Sequence, residues 1–174
     1  MEVVNIDLDE NVLVHVAKVK TEESVGKDYI LCIIKIDTGA ANTIIGKDLV
    51  SDKVLNSLKF TEEASTLGGK VKTAPAVLRL LGIEDNTFGD LKVHVHQNWE
   101  RGTYEGKKIL IGMDILKYFD FDFDSKTLVL KISLQEKKSN LPFKVYKNTK
   151  IENIKFKSKT KESPVKGFLG TYKK

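Results

Sequence analysis

One acidic side chain of this 174-residue chain stands in a setting suited to acid–base chemistry. Asp37, Thr38 and Gly39 directly follow the apolar run 29–36, so a buried strand would deliver a carboxylate onto a tight turn of small residues. The carboxylate is the acid, the Thr38 hydroxyl can hydrogen-bond to fix the loop, and Gly39 allows a substrate to approach closely. The same residue types are common in ordinary turns, so the triplet alone does not identify a catalytic loop.

The second informative segment spans residues 108–119. It is typical of a short strand that runs into Gly112 and then a short helix, and Asp114 would lie near the helix start, where the helix dipole favours a carboxylate. Residues 120–132 predict two alternating strands around a turn at 124–126. Residues 47–58 have apolar side chains at helical spacing and predict a further helix.

These two segments, in this order, carry a resemblance to a known family. Both segments resemble the retropepsin-like aspartic proteases, the family of retroviral and retrotransposon proteases and their cellular relatives. The first is the loop of residues 37–40 followed by Thr43, Ile44 and Ile45, and the second is the segment 109–116. The resemblance covers roughly residues 12–132. It implies an all-β fold, a closed retropepsin-like barrel with one or two short helices, in which the first segment is the active-site loop and the second supports it.

Between the two segments lies a predicted glycine-tipped hairpin, with Gly68 and Gly69 between strand-like flanks. A surface hairpin without function would have the same pattern. The resemblance implies that this hairpin is the flap that closes over a bound peptide, with Leu67, Gly68 and Gly69 at its tip. These three residues and Ala40 are then expected to contact the substrate.

The resemblance also implies a homodimer. Aspartic protease chemistry needs two carboxylates: one takes a proton from a water as it attacks the peptide carbonyl, and the other protonates the carbonyl oxygen. The sequence contains only one Asp-Thr-Gly triplet, so the second Asp37 must come from a second copy across a two-fold axis. In the family, the threonines at the position of Thr38 hydrogen-bond across the axis, and the Gly39 backbone and the flap bind an extended peptide as an added strand. No cofactor is expected.

Lysine is concentrated at the C-terminus. Residues 136–174 carry 12 Lys and 3 Glu, a net charge of +9, whereas residues 1–135 carry 17 Lys and Arg against 21 Asp and Glu, a net charge of −4. This asymmetry predicts a protease domain over 1–135 and a basic C-terminal extension over 136–174. Aromatic residues among lysines would suit nucleic acid, but no nucleic-acid module is recognisable. We therefore favour a solvated extension that packs weakly on the domain or on a partner chain through Val145, Ile151, Ile154 and Phe156.

Composition also bears on the location of the protein. No apolar run approaches the roughly 18 residues of a membrane span, and the acidic N-terminus differs from the basic start of a signal peptide. We expect no membrane association and a cytoplasmic location. The single cysteine, Cys32, lies in the apolar run before Asp37 and is expected to be part of the core in a reducing compartment.

Two candidate metal sites fail on their spacing. The repeat of aspartates at 120, 122 and 124 lacks the glycine and the bidentate glutamate of a calcium loop, so we interpret it as a strand with an acidic face. His94 and His96 would lie on one face of a strand without a nearby cysteine, so an exposed strand face is favoured over a metal site. No metal is expected.

Two hypotheses about function remain. The first is a dimeric, cytoplasmic aspartic endopeptidase that cuts extended segments of a protein substrate. The alternative is a catalytically idle retropepsin-like domain that dimerises or binds peptides, and in this alternative the basic extension could attach it to nucleic acid. The intact Asp37 triplet favours the enzyme, because a binding module has no need for two mutually repelling carboxylates on its axis.

Overall fold

The structure is a computed structural model that describes residues 4–9, 12–24, 26–66, 69–124, 126, 129–135 and 140–156. β-Strands dominate the described part of the chain, as the sequence predicts. In chain order they are β1 (Val4–Asp9), β2 (Val12–Lys20), β3 (Ile30–Ile36), β4 (Ile44–Ile45), β5 (Glu62–Thr66), β6 (Gly69–Ile83), β7 (Asn86–His96), β8 (Lys108–Ile111), β9 (Phe119–Asp124), β10 (Val129–Leu134) and β11 (Lys144–Tyr146).

Within the described residues, six of these strands close into a barrel. β2 pairs with β3, β3 with β8, β8 with β4, β4 with β7, β7 with β6, and β6 returns to β2. The pairings β3–β8 and β4–β7 are parallel, and the others are antiparallel. Closure leaves these strands without free edges in the barrel. The all-β, closed-barrel prediction is confirmed.

The core follows from the two-residue alternation of the strands. On β3 the side chains of Cys32 and Ile34 point inward and are almost fully buried, whereas Leu31 is exposed and Lys35 is half-buried on the other face. Burial raises the pKa of the Cys32 thiol to about 12, so this thiol stays protonated and unreactive. The expectation that Cys32 belongs to the core is confirmed.

The helices are short. They are α1 (Asp52–Leu55) and α2 (Met113–Leu116), with 3₁₀ turns at Lys47–Leu49, Glu105–Lys107 and Ile151–Asn153. The helix predicted around Met113 is confirmed.

The continuous helix predicted over 47–58 is wrong, because the segment divides into a 3₁₀ turn and a single α-helical turn. Val50 and Ser51 between them have extended backbones. The Ser51 hydroxyl accepts a hydrogen bond from the Val54 N–H at 3.3 Å, and so caps a new helix instead of continuing the first.

Residues 140–156 pack on the barrel. β11 pairs with β7, and Phe143, which is 7% exposed, makes an edge-on contact with Phe88. Ile151 is 1% exposed and fills the space beside Gly82, where a Cβ atom would lie 2.8 Å from the Ile151 Cβ. The expectation of only weak packing in this segment is wrong for Ile151. Gly82 on β6 has no side chain, and this leaves the space that Ile151 fills.

A buried lysine also holds this segment. The Lys20 side chain is 1% exposed, and its ammonium donates hydrogen bonds to the carbonyl oxygens of Gly26 at 2.8 Å and Ile154 at 3.2 Å. Burial lowers the pKa of Lys20, although the carboxylates of Glu152 and Asp28 act in the opposite direction. Glu152 itself forms an ion pair with Lys18. The C-terminal segment is thus attached to β2 through both apolar and polar contacts.

β9 and β10 form the predicted hairpin, and β10 also pairs with β1. The acidic and aromatic residues of β9 alternate, so they lie on opposite faces of the strand. Phe119 packs against Phe88 at a ring distance of 5.9 Å, whereas Phe121 and Phe123 are 42% and 49% exposed. In the described part of the chain, no helix has the length and apolar character needed to cross a membrane.

Candidate active site

The end of β3 positions Asp37. Its N–H donates to the Ile111 carbonyl oxygen at 3.0 Å, which continues the β3–β8 ladder by one residue. The chain then turns so that the N–H groups of Gly39 and Ala40 donate to Asp37 Oδ1 at 3.0 and 3.1 Å. Among the described residues, Oδ2 has no hydrogen-bond partner. One carboxylate oxygen is therefore fixed by its own turn, and the other remains available to a water or a second carboxylate.

The neighbouring residues leave this carboxylate accessible. Thr38 and Gly39 are exposed, and Asp37 and Ala40 are half-buried. A Cβ atom at Gly39 would lie 3.3 Å from Asp37 Oδ1, tighter than most such contacts, so glycine keeps the turn compact. The four residues that the sequence analysis placed at the active-site loop therefore share one turn.

A buried hydroxyl ties this loop to the second segment. The Gly112 N–H donates to Thr43 Oγ1 at 3.0 Å, and Thr43 Oγ1 donates to Asp114 Oδ1 at 2.7 Å. The Thr43 N–H donates to the other carboxylate oxygen of Asp114 at 3.0 Å. Thr43 is 1% exposed, so these bonds are shielded from water.

Backbone contacts complete the attachment. The Met113 N–H donates to the Ala40 carbonyl oxygen at 2.8 Å, and the Asp114 N–H donates to that of Ala41 at 3.1 Å. At Gly112 a Cβ atom would lie 2.6 Å from the carbonyl carbon of Asn42, so only glycine allows this approach. The start of α2 therefore supports the loop that carries Asp37.

The sequence motifs include both Thr43 and Asp114, but they do not show that these residues bind each other. The only signal was positional: Thr43 lies six residues after Asp37, and Asp114 lies two residues after Gly112. A pair separated by 71 positions cannot be found from local periodicity.

Replacing Thr43 tests this support. We expect Thr43→Val, which keeps the shape of the side chain, to lower the free energy of unfolding by about 1–3 kcal/mol, because it leaves the Gly112 N–H and the Asp114 carboxylate without the hydroxyl. Urea unfolding followed by circular dichroism measures the change. Thr43→Ser keeps the hydroxyl and serves as the control. Equal unfolding midpoints for the two variants would contradict the role of the hydroxyl.

The hairpin predicted between the two segments is present. β5 pairs with β6 from Glu62 opposite Thr73 to Thr66 opposite Gly69, and Gly69 has a left-handed φ of 112°. Of the residues expected at the flap tip, Leu67 and Gly68 lie outside the described residues. His94 Nδ1 on β7 lies 3.1 Å from a Glu62 carboxylate oxygen, so a side-chain contact joins the base of the hairpin to the barrel.

The expectation that His94 and His96 occupy an exposed strand face is wrong. His96 is 6% exposed and stacks on Trp99 with ring centroids 4.7 Å apart, because the chain after β7 folds back over it. Its Nδ1 accepts a hydrogen bond from the Asn98 N–H at 3.1 Å, and burial lowers the pKa of the imidazole. His94 is half-buried. The described residues contain no cluster of His, Cys, Asp and Glu side chains that could hold a metal ion.

Comparison with known proteins agrees with this geometry. The sequence model of the family described as "Aspartyl protease" matches residues 32–115, which include Asp37, Thr43, Gly112 and Asp114. Among solved structures, the chain is similar to a retropepsin-like aspartic protease from Rickettsia conorii, with a TM-score of 0.50, 24% sequence identity, and coverage of 76% of this chain and 99% of that chain. No curated protein matches the sequence. The family match over the Asp37 loop and its Gly112 support, together with the shared fold, supports the resemblance of this chain to the retropepsin-like aspartic proteases.

Proposed function

We propose that this chain is an aspartic endopeptidase that acts as a homodimer on extended segments of protein substrates. The observation that carries the proposal is the Asp37 turn. It presents a carboxylate at the end of a barrel strand, with Oδ1 held by the N–H groups of Gly39 and Ala40 and with Oδ2 unbonded by any residue that the structure describes. A fixed carboxylate with one open oxygen suits a group that accepts a proton from an attacking water.

The chemistry needs a second acid. Two Asp37 carboxylates that face each other across a two-fold axis would share one proton, so that one acts as the base and the other as the acid. The exposed Thr38 hydroxyl lies beside Asp37 and is available to hydrogen-bond with its counterpart. Gly39 leaves room for the backbone of a peptide, and the hairpin of β5 and β6 is the proposed flap.

The β9 strand supports a second copy as the partner. Among the described strands, β9 pairs only with β10 and lies at the end of the sheet. Phe121 and Phe123 extend the apolar face of β9 beyond Phe119 and are exposed. A two-fold interface uses the same surface on both chains, so the aromatic face of β9 in one chain can pack against that of the other and cover both.

Phe123→Ser tests this interface. We expect the dissociation constant of the dimer to rise by about tenfold or more, because each dimer would lose two buried aromatic side chains. Analytical ultracentrifugation over a concentration series measures the shift. Val16→Ser removes an apolar side chain that is 60% exposed on β2 and is the matched control. A dimer that is unchanged by Phe123→Ser but weakened by Val16→Ser would place the interface elsewhere.

The proposed activity itself is tested with a diverse pool of peptides. Purified protein is incubated with the pool, with and without a transition-state-mimicking inhibitor of aspartic proteases, and products are identified by mass spectrometry. We expect new cleavage products that the inhibitor suppresses. Peptides that are bound but never cut would instead support the idle peptide-binding module.

A further inference from the structure

We propose that Lys35 makes the cleft of this protease selective for substrates with an acidic side chain beside the scissile bond. This inference depends on the proposed protease function and concerns the substrate class of the same site. Lys35 is on β3, two residues before Asp37. Alternate residues of a strand share a face and lie about 7 Å apart, so Lys35 and Asp37 are neighbours on one face of the barrel wall.

The strand pairing identifies this face as the outer one. Lys35 lies directly beside Leu110 in the parallel register of β3 and β8, and both side chains are half-buried. The alternate residues of β3 and β8 point the other way and line the apolar interior of the barrel. They include Ile34, Ile109 and Ile111. Lys35 and Leu110 therefore form part of the surface next to the Asp37 carboxylate, where a bound peptide would lie.

A second lysine on the same face shows what is unusual about Lys35. Lys108 lies beside Ile33, and its ammonium bonds both carboxylate oxygens of Glu105, at 2.7 and 2.9 Å. It also lies over the rings of Trp99 and Tyr104, at 5.2 and 5.3 Å from their centroids. The charge of Lys108 is thus compensated within the chain.

Within the described part of the chain, Lys35 has no such compensation. Among the residues that the structure describes, no carboxylate, hydroxyl or carbonyl group bonds its ammonium. A half-buried cation without a counter-ion is partly desolvated, and a carboxylate that binds next to it restores the lost interaction. In a two-fold dimer one Lys35 lies on each side of the two Asp37 residues, so an acidic side chain is favoured on either side of the scissile bond.

The test uses two short peptide libraries that are identical except for Glu or Gln at the central positions. Glu and Gln have the same shape, so the comparison isolates charge. We expect kcat/KM of the wild type to be about tenfold higher for the Glu library. Lys35→Met should abolish this preference, and Lys35→Glu should shift it toward a library with central Lys. Lys147→Met removes an exposed lysine in the turn after β11 and should leave the preference unchanged.

Three results would overturn the proposal. The first is equal cleavage of the Glu and Gln libraries by the wild type. The second is a preference that survives Lys35→Met. The third is an equal loss of cleavage rate on both libraries in Lys35→Met, together with an altered pH profile. This result would show that Lys35 acts on the Asp37 carboxylates and not on the substrate.

A binding measurement separates failure of this proposal from failure of the protease assignment. Fluorescence anisotropy with labelled Glu and Gln libraries is measured on the Asp37→Asn chain with and without Lys35→Met. Tighter binding of the Glu library that depends on Lys35 supports the proposal even if the wild type cleaves nothing. Equal binding of the two libraries would overturn it.

Discussion

Asp37→Asn is expected to abolish peptide cleavage, with a loss of about 10²–10⁴-fold or more, because it removes both the general base and the shared proton. The amide oxygen of asparagine can still accept the Gly39 and Ala40 N–H bonds that hold Oδ1, so the turn and the fold should survive. Relief of repulsion between two carboxylates should also tighten the dimer. Initial rates, circular dichroism and sedimentation measure these three effects.

The matched control is Asp85→Asn, the same substitution in the exposed turn between β6 and β7, where Asp85 forms an ion pair with exposed Lys150 at 3.2 Å. It should retain wild-type cleavage, since exposed ion pairs contribute little. Cleavage by Asp37→Asn at the rate of the control would contradict the protease assignment.

Truncation of the C-terminal segment is expected to have a large effect on stability. A chain that ends after Gln135 loses Phe143, Ile151 and the Ile154 carbonyl oxygen that accepts from Lys20. Loss of a buried Phe or Ile side chain costs about 2–5 kcal/mol each, a large part of the roughly 5–15 kcal/mol that stabilises a typical domain. We therefore expect this chain to unfold at much lower urea concentration or to fail to fold.

A chain that ends after Phe156 is the control. It keeps β11, the turn at Ile151 and the Lys20 contacts, and should unfold at nearly the wild-type urea concentration. Equal stability of the two truncated chains would show that the contacts of residues 140–156 contribute little to folding.

Local sequence predicts the parts of the fold that are determined by residues close to one another in the chain. The Asp37 turn follows an apolar strand and ends in small residues, and Gly112 separates a strand from a one-turn helix. The β9–β10 hairpin follows from strict alternation on both sides of a turn. Each of these features depends on residues that are close together in the sequence, so the local residue pattern is sufficient to predict it.

The parts that sequence reasoning missed depend on contacts between distant residues. The Thr43–Asp114 hydrogen bond and the Ile151–Gly82 packing join segments about 70 positions apart. His96 has the spacing of an exposed strand residue and is buried only because Trp99 folds back over it. The spacing of apolar residues along a strand or helix defines which of its faces is apolar. It does not show which distant segment covers that face.

The central claim is that one Asp37 from each of two chains forms a single catalytic site. Wild-type and Asp37→Asn chains are mixed in varied proportion, unfolded and refolded together, and assayed at constant total concentration. If each active site needs two wild-type chains, the rate should fall with the square of the wild-type fraction, to about one quarter in an equal mixture. A rate that falls in direct proportion, to about one half in that mixture, would show that each chain acts alone and would contradict the shared site.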